Sequence, residues 1–241
     1  MNFEDLIKRY EEKKQQYGQF AYKYVSEILA SVKEQHYQDW LKKPTRKKDH
    51  EQSWKAWKGK NLEKLVSYII KDEVEHIGLK VVAGNKLEIS KTDRLTPELS
   101  KIKKDLLIDY GEFGLHLPDL DLIIYEPTNC RIIAVLSSKA TLRERIAQTG
   151  YWKLKFMQSS LTKHIKVFFV TPDEDKTLSS PPRNGPVNHK WKKGRAIVEM
   201  DTNGSYVMTE EEFTESAKVK KFDKLIEDLT RLIKTKQTSG A

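Results

Sequence analysis

The stretch from Asp121 to Val170 constrains the fold of this chain more than any other. Asp121-Leu-Ile-Ile-Tyr125 and Arg131-Ile-Ile-Ala-Val-Leu136 are rich in β-branched and aromatic residues, and Glu126-Pro-Thr-Asn129 between them has turn chemistry. Together they read as a β-hairpin. A helical pattern follows from Thr141 to about Ser159, then the near-continuous apolar run Ile165-Lys-Val-Phe-Phe-Val170. A run of that kind is a strand covered on both faces. The β-β-α-β order predicts an α/β fold with a mixed central sheet flanked by helices.

The flanks extend this plan. Residues 1–60 predict an all-helical, very polar region, with Phe3, Leu6, Ile7 and Tyr10 on one face and Phe20, Tyr24, Ile28 and Leu29 on another. From Asn61 onward Leu62, Leu65, Val66, Ile69 and Ile70 recur at helical spacing and stop near Gly78, a residue type that ends helices. This change divides the chain into a helical N-terminal region, 1–60, and a main domain, 61–241. Short β-prone pieces are expected at Leu79–Val82 and Leu87–Ser90, and a helix from Pro97 to about Tyr110, broken by the Gly111–Pro118 segment. The proline-rich stretch Thr171–Lys193 predicts a long loop, Ala196–Met200 a further strand, and Phe222, Leu225, Ile226, Leu229 and Leu232 a C-terminal amphipathic helix.

Charge narrows the partners. Forty-four Lys and Arg against 35 Asp and Glu leave a net charge of +9, which favours a polyanion such as nucleic acid. Between Lys42 and Lys60, eight basic residues face only Asp49 and Glu51, with Trp40 just ahead of them and Trp54 and Trp57 interleaved. That stretch is either a DNA-backbone contact surface or a solvated linker whose tryptophans pack on the core. A single cysteine, Cys130, excludes an internal disulfide framework and zinc fingers, and fits a reducing, cytoplasmic setting. The six histidines show no zinc-like spacing, no Walker-type loop is present, and Ser137 and Ser138 lack the glycine elbow of serine hydrolases.

The chemistry concentrates in Leu117–Gln148. Asp119 and Asp121 lie at the mouth of one hairpin strand, and Ser137 and Lys139 at the end of its partner. Side chains alternate along a strand, so Ser137 and Lys139 share a face that the hairpin can bring to either aspartate. Carboxylates beside an ammonium group suit metal-assisted phosphodiester hydrolysis. The acids hold Mg²⁺, a hard cation, while the lysine orients or deprotonates the attacking water and offsets developing charge.

Pro118-Asp119, Asp121 and Ser137-Ser138-Lys139 together resemble the PD-(D/E)XK nuclease core, with Ser137 standing where that pattern carries an acid. Among such nucleases the restriction endonucleases that read CCGG-type sites have Ser-x-Lys there, followed by an arginine, an acid and an arginine. This chain continues with Arg143-Glu144-Arg145, and arginine can bond bidentately to guanine while a carboxylate can accept from cytosine. The acid that the family places on the following helix is absent from Gln148–Lys153. Glu63, on a helix resembling the first core helix of the fold, is the candidate replacement, and Asp121 is favoured over Asp119 as the principal acid. The resemblance covers about Asn61–Val170. It implies a type II restriction endonuclease: Mg²⁺-dependent cleavage of double-stranded DNA at a C/G-rich palindrome with a CCGG core. It also implies a homodimer matching the site's symmetry and a cognate DNA methyltransferase as genetic partner. The competing expectations are a structure- or damage-specific nuclease of the same fold, and a DNA-binding protein with a degenerate core.

Overall fold

The computed structural model describes residues 2–43, 49–88, 94–142, 145–182 and 191–237. The N-terminal region folds as α1 (Phe3–Tyr17), a 3₁₀ segment (Gly18–Tyr24), α2 (Val25–Ser31) and α3 (Lys33–Lys42). Helix α1 begins with a capping box, Asn2 and Asp5 each accepting the other's backbone N–H, which satisfies donors that a helix start leaves free. Helix α4 (His50–His76) is 27 residues long and starts at Asp49, whose carboxylate accepts the Glu51 N–H. It ends just before Gly78, where φ is +81°. The expected boundary at residue 60 falls inside this continuous helix, and α1 and α2 share one apolar core with it.

The main sheet has six strands in the order β1-β4-β5-β6-β7-β8: β1 (Lys80–Ala83), β4 (Leu122–Glu126), β5 (Arg131–Ser138), β6 (Lys166–Thr171), β7 (Gly204–Val207) and β8 (Val219–Lys221). The β1-β4-β5 part is antiparallel and the β5-to-β8 part parallel, so the sheet is mixed as expected. A separate two-stranded pair, β2 (Ile108–Asp109) and β3 (Leu115–His116), follows α5 (Pro97–Leu106).

Alternation along the strands divides the core. Leu122 and Ile124 of β4, with Ala134 and Leu136 of β5, meet Leu62, Leu65, Val66 and Ile70 of α4 and Leu225 and Leu229 of the C-terminal helix α8 (Lys224–Gln237). Ile123, Tyr125 and Val135 point the other way, toward Ile102 and Leu106 of α5 and Phe156 of α6 (Arg145–Met157). Both sheet faces are thus covered, which explains the apolar run in β6.

Three local expectations differ from the structure. Ala196–Met200 is helical, within α7 (Lys193–Asp201), not a strand. Its buried residues Arg195 and Val198 sit three apart on one helix face, and the Arg195 guanidinium donates to the Leu178 and Thr214 carbonyls at 2.6 Å each. Leu87 and Glu88 are not in a strand, because the chain turns through a 3₁₀ segment at Gly84–Lys86; residues 89–90 of that expectation lie outside the described residues. Helix α5 stops at Leu106, since Ile108 leaves it to pair with His116. Among the described residues, no helix is long and apolar enough to cross a membrane.

Candidate active site

The site forms where β5 ends beside the start of β4. In the hairpin register Leu122 faces Leu136, which sets Asp121 against the Ser137–Lys139 turn. Asp121 is 7% exposed, and a buried carboxylate needs partners. Its Oδ2 accepts the Ser138 backbone N–H at 2.6 Å and the Ser137 hydroxyl at 3.5 Å; its Oδ1 accepts from Lys139 Nζ at 2.7 Å. Strand alternation puts Ser137 and Lys139 on one face opposite either aspartate, and in the structure it is Asp121 that both side chains meet.

Glu63 comes from α4 and lies within electrostatic reach of the Asp121 group. Its carboxyl is pushed up to about 7, first by burial and then by the Asp121 charge, with Lys139 opposing and Asp119 and Glu88 adding to the rise. Glu63 therefore feels both aspartates. Asp119 is exposed, and its carboxylate accepts from Gln148 Nε2 at 3.1 Å. Gln148 Oε1 in turn accepts from Arg145 Nη1 at 3.1 Å, so both ends of one amide link the Asp119 loop to the start of α6. Arg143 and Glu144, the other members of the expected recognition triplet, lie outside the described residues.

Backbone contacts hold the lysine-bearing turn. Lys139 N–H donates to the Val170 carbonyl at 3.2 Å, Glu174 N–H to the Ala140 carbonyl at 3.1 Å, and Leu142 N–H to the Asp175 carboxylate at 3.2 Å. The Asp173–Ser179 loop is itself tied by Asp173, whose buried carboxylate accepts N–H groups of Thr177, Leu178 and Ser179. Burial raises the Asp173 carboxyl, and those hydrogen bonds oppose the rise.

Sequence reasoning missed Gly84. Its N–H donates to the Asp121 carbonyl at 2.9 Å, and a Cβ at this position would overlap the Leu120 carbonyl oxygen. A glycine after a short strand signals a turn; nothing local signals that another backbone crosses against it.

Among the described residues no group of three or more His, Cys, Asp or Glu is arranged to hold a metal. The donors at the site are carboxylate oxygens, those of Asp121 and Glu63, from separate elements and under mutual repulsion. Such a pair fits a hard divalent cation, because Mg²⁺ is commonly held by one or two protein carboxylates together with water and substrate phosphate.

The tryptophans of the basic stretch turn inward. Trp54 is buried and stacks on Trp57 at 5.3 Å, and both pack against His36 of α3. Lys55 and Lys60 remain exposed, and residues 44–48 lie outside the described residues.

A mixed sheet covered by helices on both faces, with an acid at the start of one central strand and a lysine at the end of its neighbour, defines a restriction-endonuclease-like fold. Residues 98–228 match the family described as BsaWI restriction endonuclease type 2, and the chain belongs to that family of type II restriction enzymes. It is 37% identical over 221 residues to the protein named "Putative type II restriction enzyme MjaVIP" of Methanocaldococcus jannaschii, covering 88% of this chain and 94% of that one. It is 39% identical over 121 residues to "Probable type II restriction enzyme HpyAORF263P" of Helicobacter pylori, covering 50% of this chain and 61% of that one. Two solved structures are similar at low identity. One is the pre-specific BsaWI–DNA complex (14% identity, 97% of this chain and 93% of that chain, TM-score 0.48). The other is the PspGI–substrate DNA complex (16%, 89% and 76%, TM-score 0.46).

Proposed function

We propose that this type II restriction endonuclease uses Mg²⁺ to cut both strands of DNA at a palindrome with a CCGG core, acting as a homodimer beside a cognate methyltransferase. The observation that carries the catalytic part is the buried Asp121 carboxylate, which is held by the Ser138 N–H and Lys139 and whose charge reaches Glu63 of α4. Asp121 and Glu63 would hold the cation, with Asp119 as the next carboxylate at hand. Bound there, the metal supplies Lewis-acid polarisation of the phosphate. As an ammonium group Lys139 orients the attacking water or offsets charge developing on the phosphate. Ser137 fills the position of the usual acid without adding negative charge, and its hydroxyl donates to Asp121.

For base reading, Arg143, Glu144 and Arg145 supply the donors and acceptor that C·G pairs require in the major groove. The Arg145–Gln148–Asp119 chain supports a link between that reading and the catalytic loop. Plasmid digestion with and without Mg²⁺, followed by sequencing of the ends, tests the proposal. Discrete Mg²⁺-dependent fragments sharing CCGG are expected. Cuts tracking DNA structure point to the repair-type reading, and no cuts to a degenerate core. Competition between CCGG and scrambled duplexes tests the triplet: Arg145→Ala should lower affinity for the CCGG duplex by about tenfold or more and for the scrambled one much less.

A further inference from the structure

A groove runs beside the site between α4 and the turn after β1, and its lining is strongly basic. Lys60, Lys64 and Lys71 line it from α4, and Lys86 from the turn after β1; Glu63, between Lys60 and Lys64 on the same helix, and Leu122, the neighbour of Asp121, line it too and join it to the catalytic group. At 100° per residue, positions 60, 64 and 71 fall on one helix face. All four lysines are exposed, and among the described residues none forms an ion pair. Nearby lysines do pair: Lys58 with Glu174 at 2.6 Å and Lys80 with Glu98 at 3.2 Å. Uncompensated positive charge is therefore concentrated in this groove, next to the two carboxylates that would repel an approaching phosphate.

We propose that this groove binds the phosphodiester backbone of the cleaved strand where it leaves the scissile phosphate, an inference that rests on the nuclease reading above. Lysine suits the task because it meets phosphate as a point charge without requiring one fixed orientation, unlike the bidentate geometry of arginine on a base. From Glu63 to Lys71 the helix spans about 12 Å at 1.5 Å per residue. That exceeds the roughly 3.4 Å rise between successive phosphates on one strand, so the face can meet more than one of them. The groove would hold the strand in register with Lys139 and contribute affinity without sequence preference.

The test is equilibrium binding of the full chain to a duplex in EDTA across a salt series, alongside plasmid cleavage by the wild type in Mg²⁺. Each phosphate contact contributes about 0.9 to the slope of log affinity against log salt. The variant carrying Lys60→Ala, Lys64→Ala, Lys71→Ala and Lys86→Ala should flatten the slope by about 3 to 4, equally for CCGG and scrambled duplexes. A control with Lys101→Ala and Lys104→Ala on α5 should change it little. Neutral methylphosphonates next to the scissile position should weaken the wild type and leave the groove variant unaffected. A slope that is unchanged, or reduced as much per charge by the α5 control, overturns the groove assignment even when the wild type cuts DNA. Failure of the wild type to cut any DNA overturns the nuclease reading instead. The alanines stand at exposed positions, and a thermal melt matching the wild type ties the result to binding.

Discussion

At the scale of single residues, the site is a balance between two acids and one lysine. Lys139→Ala removes the only ammonium group bonded to Asp121 among the described residues. Cleavage should fall by about 10²–10⁴-fold while binding to a specific duplex persists, as judged by single-turnover cleavage beside gel shift. Cleavage at the wild-type rate would take this strand pair out of the chemistry. Glu63→Gln changes charge at nearly constant shape. It should raise the Mg²⁺ needed for half-maximal cleavage by about tenfold or more, because a ligand charge is lost. It should not lower the melting temperature in EDTA, because the repulsion between Glu63 and Asp121 is removed with it. An unaltered Mg²⁺ requirement would pass the role to Asp119.

At the scale of elements, close contact of backbones matters as much as side-chain chemistry. Gly84→Ala would force a Cβ against the Leu120 carbonyl, one residue from Asp121. Overpacking of this kind costs typically about 1–3 kcal/mol. Cleavage should drop more than stability, since the segment that must yield carries Asp121, the acid proposed to hold the metal; denaturant melts compared with rates will show it. The same contact shows why part of the site was illegible. Strand alternation and turn chemistry are local, so they carry the β4-β5 hairpin and bring Lys139 to one of two aspartates; the preference for Asp121 rests on the family resemblance. Gly84, the Gln148 bridge and the Asp173 loop depend on which elements cross in space, and no window of sequence carries that. The strands β7 and β8 escaped for a related reason: at four and three residues they are too short for a periodic signal. Helix α7 was mistaken for a strand because the Ile197-Val198 pair outweighed a burial pattern set by Arg195. The α3–α4 contact offers a further test. His36 lies among Trp54, Trp57 and His50, with its Nδ1 3.1 Å from His50 Nε2. Burial, then the neighbouring His50, holds its pKa below the ordinary value of 6.5. The unfolded chain therefore takes up this proton first as pH falls. The neutral histidine costs nothing above about pH 6.5, and stability is lost as pH drops from there toward the depressed folded value. In His36→Asn that loss should shrink, so melting temperatures of the two proteins should converge between pH 7 and pH 5. A constant difference would show that His36 does not carry the effect.

At the scale of the whole molecule, one chain supplies one set of Asp121, Glu63 and Lys139, whereas a double-strand cut at a palindrome needs two scissile phosphates attacked. Two-fold sites are met by two-fold assemblies, in which each subunit acts on one strand. The proposed homodimer thus makes a prediction that does not depend on knowing its interface. If wild-type chains are mixed with an excess of Lys139→Ala chains, unfolded together and refolded, most wild-type subunits will sit beside an inactive partner. Each such hybrid retains both half-site readers but one competent centre. On supercoiled plasmid it should produce open circles cut at CCGG, with linear product falling as the square of the wild-type fraction, while nicking falls only in proportion to it. Densitometry of the three plasmid forms across mixing ratios separates the two dependences. Linear product that tracks the wild-type fraction directly would mean that a single subunit cuts both strands in turn, and the symmetric dimer would have to be abandoned.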